Sequence, residues 1–391
     1  VHIFKEKPRL IPAFPNDPEN LRYVAQLEEE MSYYVYMYKL PDRTLIIYDE
    51  HFNPSIEENG VRTGTNLQFN LSGNLNTQQQ AATLHAINLW SAELAGVVPV
   101  DIKVEFVSLP SGTLGRSRQQ PHYLKSGDST WYSSALGNQI ANYKVSNLSD
   151  IKLEMSSNFS WNYSITSPPS GNQYDWLTVM LHEITHGLGF ASLIYWDNTL
   201  QNNGRYVYTV NDTLAAYTNY PGIFDRQLFQ GTSGPNLTSL NQSQRAALVV
   251  SNNLFSGRPS SHLLAANGGA RVKMYAPFSW RSGSSVSHWD WDNSATPTLM
   301  KPFLDPGFRH AVIDAREVAI MQDMGWAVCR PIVNFTNQTV TTNMTVANGC
   351  GVVNVQNTTV TPTGTLNIRA ERVTIGPGFT VQSGNLTIRV P

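Results

Sequence analysis

The stretch LHEITHGLGFAS (181–192) decides how this chain is read. It places two histidines four residues apart, with a glutamate directly after the first. On a helix, positions four apart lie nearly above one another, so His182 and His186 point the same way and can share one ion. Glu183 sits about a third of a turn away, placed to reach a water on that ion rather than the ion itself. The surrounding residues Leu177, Val179, Met180, Leu181, Ile184 and Leu188 are apolar, which predicts a buried helix. Two buried histidines and a buried glutamate are costly without a partner ion. Asn172 or Asp175 is placed to cap this helix, and Gly187 or Gly189 to end it.

A catalytic zinc site expects three protein ligands and a water. No glutamate lies between Glu183 and Glu317, which disfavours a glutamate from a nearby later helix as the third ligand. In the pattern HExxHxxGxxH the third histidine would fall at position 192, which is Ser192. Three histidines follow: His262 in SSHLLAANGG, His288 in SVSHWDWDNSATPTLMKPF and His310 in GFRHAVID. His262 and His310 stand in ordinary loop contexts, whereas His288 has Met300 twelve residues on, in LMKP. Asp290 and Asp292 are candidates to orient His288, and Tyr275 and His310 are candidates to stabilise an oxyanion.

Outward from the motif, NTQQQAATLHAINLWSAELAG reads as a helix with Ala82, Leu84, Ile87, Leu89 and Leu94 on one stripe and Gly96 as its stop. TNLQFNL (65–71), VDIKVEFVSL (100–109) and DIKLEMS (150–156) alternate as strands. NLRYVAQLEEEMSYYVYMYKLP predicts a helix followed by a strand. GRYVYTV predicts a strand, SLNQSQRAALVVSNNLF a helix, and DAREVAIMQDMGW (314–326) a helix capped by Asp314 and stopped by Gly325. This mixture predicts an α+β fold: a twisted sheet with an active-site helix, followed by a small all-β C-terminal domain. Beyond Arg330, Val, Thr, Asn and Gly take over, and GTLNIR (364–369) returns as GNLTIR (384–389), which suggests stacked β turns or a small sandwich. The expected divisions are an N-terminal segment 1–60 (a pro-segment or part of the domain that follows), a domain 61–328 with an insertion at 190–287, and a β-rich domain 329–391.

HEITHGLGF, the long insertion and SHWD…LMKP together resemble the leishmanolysin-like metzincins and related secreted bacterial metallopeptidases. The resemblance covers about 65–328 and excludes the tail. It implies a secreted zinc endopeptidase with His182, His186 and His288 as ligands, Glu183 as general base and Met300 as the floor of a tight turn beneath the metal. It also implies that the strand before the active helix pairs with extended substrate, which would put Ile151, Leu153 and Met155 in substrate binding.

Composition agrees with an extracellular protein. Only 14% of residues are charged, and polarity comes instead from amides and hydroxyls. The net charge of −2 gives no reason to expect nucleic acid, and no apolar run is long enough to span a bilayer. A monomer acting on a protein or peptide substrate is expected. Cys329 and Cys350 are the only cysteines, and a disulfide between them would contribute about 3 kcal/mol. The triplets at Asn70, Asn147, Asn158, Asn162, Asn334, Asn337 and Asn343 fit glycosylation but arise easily by chance. The competing reading is a zinc-stabilised extracellular binding or adhesion protein whose β-rich tail is the working part. A structural zinc site usually has four protein ligands, often cysteines, and no cysteine lies near the motif.

Overall fold

The computed structural model describes residues 66–119, 122–125, 129–144, 148–196, 203–206, 220–290, 298–329 and 332–389, with two short strands at 11–12 and 46–48. The helix-then-strand expected at NLRYVAQLEEEMSYYVYMYKLP, the strand expected at GRYVYTV beyond Tyr206, and Asp292 lie outside the described residues. Among the described residues the fold is mixed α and β, with six α-helices and several small sheets. No described helix is long and apolar enough to cross a membrane. The chain divides into two compact units. Among the described residues one holds 11–12, 46–48, 71–86 and those within 101–324, and the other holds 66–70, 87–100 and those within 325–389.

The first unit carries the histidines. The main sheet orders β1 (Phe69–Gly73), β2 (Val100–Val107), β4 (Ile151–Ser156) and β3 (Gly115–Gln119) side by side. Its strands β1 and β2, like the helix that links them, straddle the division between the units. β2 and β4 run parallel, and β3 joins β4 antiparallel. Val100, Ile102 and Val104 are fully buried, as the alternation predicts. Helix α1 (Thr77–Glu93) buries Gln79, Ala82, Thr83, Ala86, Ile87 and Trp90. The expected stripe is therefore shifted: Leu84 is exposed, and the helix stops at Glu93, before Gly96. Helix α2 is Ser134–Ala141, and α3 (Trp176–Gly187) carries the motif.

The strand reading of 151–156 holds, but its role does not. β4 is flanked on both sides, so it is an interior strand and not an edge. Ile151, Leu153 and Met155 are each fully buried and have no surface to offer a substrate. Ile151 instead lies under α3, where a β-carbon built on Gly187 would come within 2.3 Å of it. The edges of this sheet are β1 and β3, and β3 is the one beside β4.

Beyond α3 the unit becomes irregular. Helix α4 (Gln242–Leu248) starts with a capping box in which Asn241 and Gln244 satisfy each other's backbone N–H groups. Helix α5 is His262–Ala266, and α6 is Ala315–Met324. Asp314 accepts the backbone N–H of Arg316 at 2.7 Å, and Gly325 leaves the helix at φ +110°, both as the sequence predicts.

The second unit resolves the tail as stacked parallel coils. β5 (Ile332–Thr336), β6 (Asn343–Gln356), β7 (Thr365–Ile375) and β8 (Asn385–Arg389) form one parallel sheet, and 339–340, 359–360 and 380–381 form another. Thr365 pairs with Asn385 and Ile332 with Val352, so each of these rungs advances by 20 residues, the repeat visible in sequence. Val353, Val355, Leu366 and Ile368 point inward and are fully buried. The C-terminal part of this unit begins at Gly325, a few residues earlier than the composition change at Arg330, and the unit also takes in 66–70 and 87–100, segments that composition did not reveal. Ala327–Val328 pairs antiparallel with Leu94–Ala95. Cys329 is disulfide-bonded, and the chain's one other cysteine is Cys350.

Candidate metal centre

The centre begins with the cap of α3. Asp175, fully buried, accepts the N–H of Thr178 at 3.0 Å and its hydroxyl at 2.6 Å. Arg309 pairs with the same carboxylate at 2.7 Å. Trp176 packs edge-on against Trp161 and donates its indole N–H to Thr83. The first helical turn is thus fixed at its end and along its side before the histidines are reached.

The residues after His186 are shaped by close approach. Gly187 leaves room for the Ile151 side chain. Gly189, at φ +124°, turns the chain back, and the carbonyl of Phe190 accepts the His186 Nδ1–H at 2.6 Å. Phe190 is buried between Phe224 and Trp289. The sequence HGLGF therefore carries a contact, a turn and an orienting carbonyl.

The other half comes from far along the chain. His288 is buried, and its Nδ1 donates to the carbonyl of Ser284 at 2.9 Å. Its own carbonyl accepts the N–H of Tyr275, and Trp289 donates to the carbonyl of Met300 at 2.9 Å. Met300 is fully buried, and the carbonyl before it, on Leu299, accepts the His182 Nδ1–H at 2.8 Å.

All three rings thus spend Nδ1–H on a main-chain carbonyl. Such a bond fixes the tautomer and leaves a lone pair on Nε2. The three Nε2 atoms face one another at 3.0, 3.1 and 3.2 Å. Burial drives the rings towards the neutral form: His182 is lowered to about 4, His186 to about 3 and His288 well below the usual value. Three converging lone pairs repel unless a cation lies among them. Tetrahedral ligation with metal–nitrogen distances of ~2.0–2.1 Å puts ligand nitrogens roughly 3.3 Å apart, close to what is seen. His182, His186 and His288 can hold a metal ion, and they are the one such cluster among the described residues.

Comparison of the chain with protein-family models, with characterised proteins and with solved structures found no match.

Glu183 is buried, and burial raises its carboxyl to about 8. Its carboxylate is not among the converging ligand atoms. β3 begins beside it: a β-carbon on Gly115 would lie 3.1 Å from the Glu183 Oε1.

The remaining candidates do not join the three rings. His262 starts α5 and pairs with Asp323 at 2.9 Å. His310 is tied to α3 through its backbone N–H, which donates to Thr178 Oγ1, while its ring Nε2 is buried without a hydrogen-bond partner among the described residues. Tyr275 packs edge-on against Phe303. Asp290 pairs with Lys273 at 3.0 Å, and the His288 ring is oriented by the Ser284 carbonyl. Ser192 joins segments: its hydroxyl donates to Asp225 at 2.6 Å, and its N–H donates to the hydroxyl of Ser287, next to His288. Asp225 also accepts the N–H groups of Leu193 and Gly222, and burial raises it to about 6. Nothing in the sequence marked Asp225. Nor could it mark the Leu299, Phe190 and Ser284 carbonyls, because every residue has one.

Proposed function

We propose that this chain is a zinc-dependent endopeptidase of the metzincin type, similar to the leishmanolysin-like enzymes, secreted and acting as a monomer on proteins or peptides. The observation that carries the reading is the triangle of Nε2 atoms at 3.0–3.2 Å, each ring locked by a backbone carbonyl, with Glu183 on the same helix. An all-nitrogen set of three neutral imidazoles suits zinc, and its open fourth position is the mark of a catalytic rather than a structural site.

Zinc bound there supplies Lewis-acid polarisation of a water and of the substrate carbonyl. The chain does the rest. Glu183 takes the proton of the attacking water at its carboxylate and delivers it to the nitrogen of the departing amine. The carbonyls of Leu299, Phe190 and Ser284 hold the rings in one orientation through the cycle. The buried Met300 gives the centre an apolar floor. The extended peptide is assigned to the β3 edge, which starts beside Glu183 and offers main-chain hydrogen bonds to a strand laid along it.

The test is metal analysis of the purified protein alongside cleavage of casein and gelatin, with and without a chelator. The expected result is one zinc per chain and cleavage that the chelator abolishes and added zinc restores. Stoichiometric zinc with no cleavage of any substrate tried would favour a zinc-stabilised binding protein instead.

A further inference from the structure

Glu317 is the one glutamate downstream of the motif that the sequence offered as a ligand, and it is not in the ligand triangle. It is nevertheless fully buried, in the first turn of α6. One carboxylate oxygen accepts the N–H of Asp314 at 3.0 Å, and the other accepts the N–H of Leu299 at 3.1 Å. The first bond is ordinary: a glutamate at the third helical position commonly reaches back to its N-cap. The second is not. A capping glutamate works equally well in water, whereas burying a carboxylate is costly unless its oxygens find donors. The start of α6 already has another cap in Asp314. What the buried oxygen adds is a hold on Leu299, whose carbonyl orients His182 and whose neighbour Met300 is fully buried.

We propose that Glu317 is a positioning residue of the metal centre: by clamping the Leu299 N–H it fixes the carbonyl that sets the tautomer and angle of the His182 ring. The proposal rests on the metal-centre reading of the three histidines. It links α6 to α3 through one residue of an otherwise irregular segment. Sequence and ligand geometry alone do not require it.

The experiment compares Glu317→Ala with Asp314→Ala in the full-length, zinc-loaded protein. Asp314→Ala removes the side-chain cap of α6 and a side-chain partner of Glu317, but it keeps both groups of the clamp, the Glu317 carboxyl and the Leu299 N–H. Zinc release to an excess of chromogenic chelator is timed for each. Loss of a group that orients a ligand typically weakens metal affinity by about 10–100-fold. Release from Glu317→Ala should therefore be at least roughly tenfold faster than from the parent, with Asp314→Ala close to the parent. Unchanged release from folded Glu317→Ala overturns the proposal, as does equal acceleration in both variants, which would mean only that the start of α6 matters. If Glu317→Ala does not fold, the Leu299 amide of the parent decides. Slow hydrogen exchange there supports the clamp, and exchange at the rate of an open turn overturns it. A parent that binds no zinc would defeat the metal-centre reading, while the Leu299 amide would still report separately whether the clamp exists.

Discussion

The two halves of the centre are built in opposite ways. His182, Glu183 and His186 lie within five residues on a capped, buried helix, where backbone geometry alone aligns the rings. His288 and Met300 arrive on an irregular segment about a hundred residues later, where no helical or strand periodicity sets direction. That second half is held point by point: Ser284 on the His288 ring, Tyr275 on its carbonyl, Ser192 on Ser287, Met300 on Trp289 and Glu317 on Leu299. A regular element obtains its geometry from local bonds. An irregular one must obtain it from many separate partners, and each of those is a place where it can be loosened.

Removing the remote ligand is the most direct way to break this comparison. His288→Ala leaves α3 untouched, yet it should lose zinc in equilibrium dialysis and all casein cleavage. A structural zinc typically contributes roughly 10–16 kcal/mol through its full ligand set, so two nitrogens should not retain it against a chelator. His262→Ala and His310→Ala should keep full metal, because neither ring joins the cluster. If either of these loses the metal while His288→Ala keeps it, the assignment of the third ligand is wrong.

The helical half is tested at the residue that is not a ligand. Glu183→Gln should keep one zinc and lose about 10²–10⁴-fold in cleavage rate, the usual cost of a positioned general base. The same variant has a second signature in the metal-free protein. The Glu183 carboxyl moves from its ordinary 4.5 to about 8 on folding, through burial. Between those pH values the folded chain holds a proton that the unfolded chain has released, so stability falls as pH rises. Gln has no such proton. The stripped variant should therefore exceed the stripped parent in denaturant midpoint by a gap that opens between about pH 4.5 and 8 and is flat above. Its ceiling is on the order of 5 kcal/mol. A gap that does not change with pH would mean that Glu183 is not buried as described.

What the sequence made legible follows the same division. The HExxH spacing, the Asp175 cap and the apolar flanks are local, and local patterns survive in a single sequence. The 20-residue echo in the tail is also local in this sense, because each coil repeats the inward positions of the last, as with Leu366 and Leu386. The interior position of β4 was not legible. Its alternation is that of any strand, and only pairing with β2 on one side and β3 on the other removes it from the edge. Nor was the work of Ser192, Asp225 and Glu317 legible. Each acts on a backbone group supplied by a distant segment, and backbone groups leave no mark in a sequence. The absence of histidine at 192 was visible. That a serine there would join Asp225 to Ser287 was not.

The finest test contrasts two glycines, one in each half. Gly187 ends α3 directly over β4, and a β-carbon there would meet the Ile151 side chain at 2.3, 2.8 and 3.0 Å. Alanine at a helical position gains up to about 1 kcal/mol over glycine from propensity, so any net loss must come from that clash. Ile151 is fully buried and β-branched, and it has little freedom to move aside. Gly187→Ala should therefore destabilise by about 1–3 kcal/mol in denaturant unfolding, the usual cost of overpacking. The cause is checked by a double-mutant cycle. Ile151→Ala opens the space, so the pair should lose less than the sum of the two single variants. Gly283, in the remote half, is the opposite case. A β-carbon there meets nothing within 4 Å, but the residue sits at φ +79°. Gly283→Ala should cost roughly 1 kcal/mol, from backbone strain alone, and show no coupling to Ile151. Equal coupling at both positions would mean that the helical half is not set by contact with β4, and the contrast between a locally built and a pinned half would lose its physical basis.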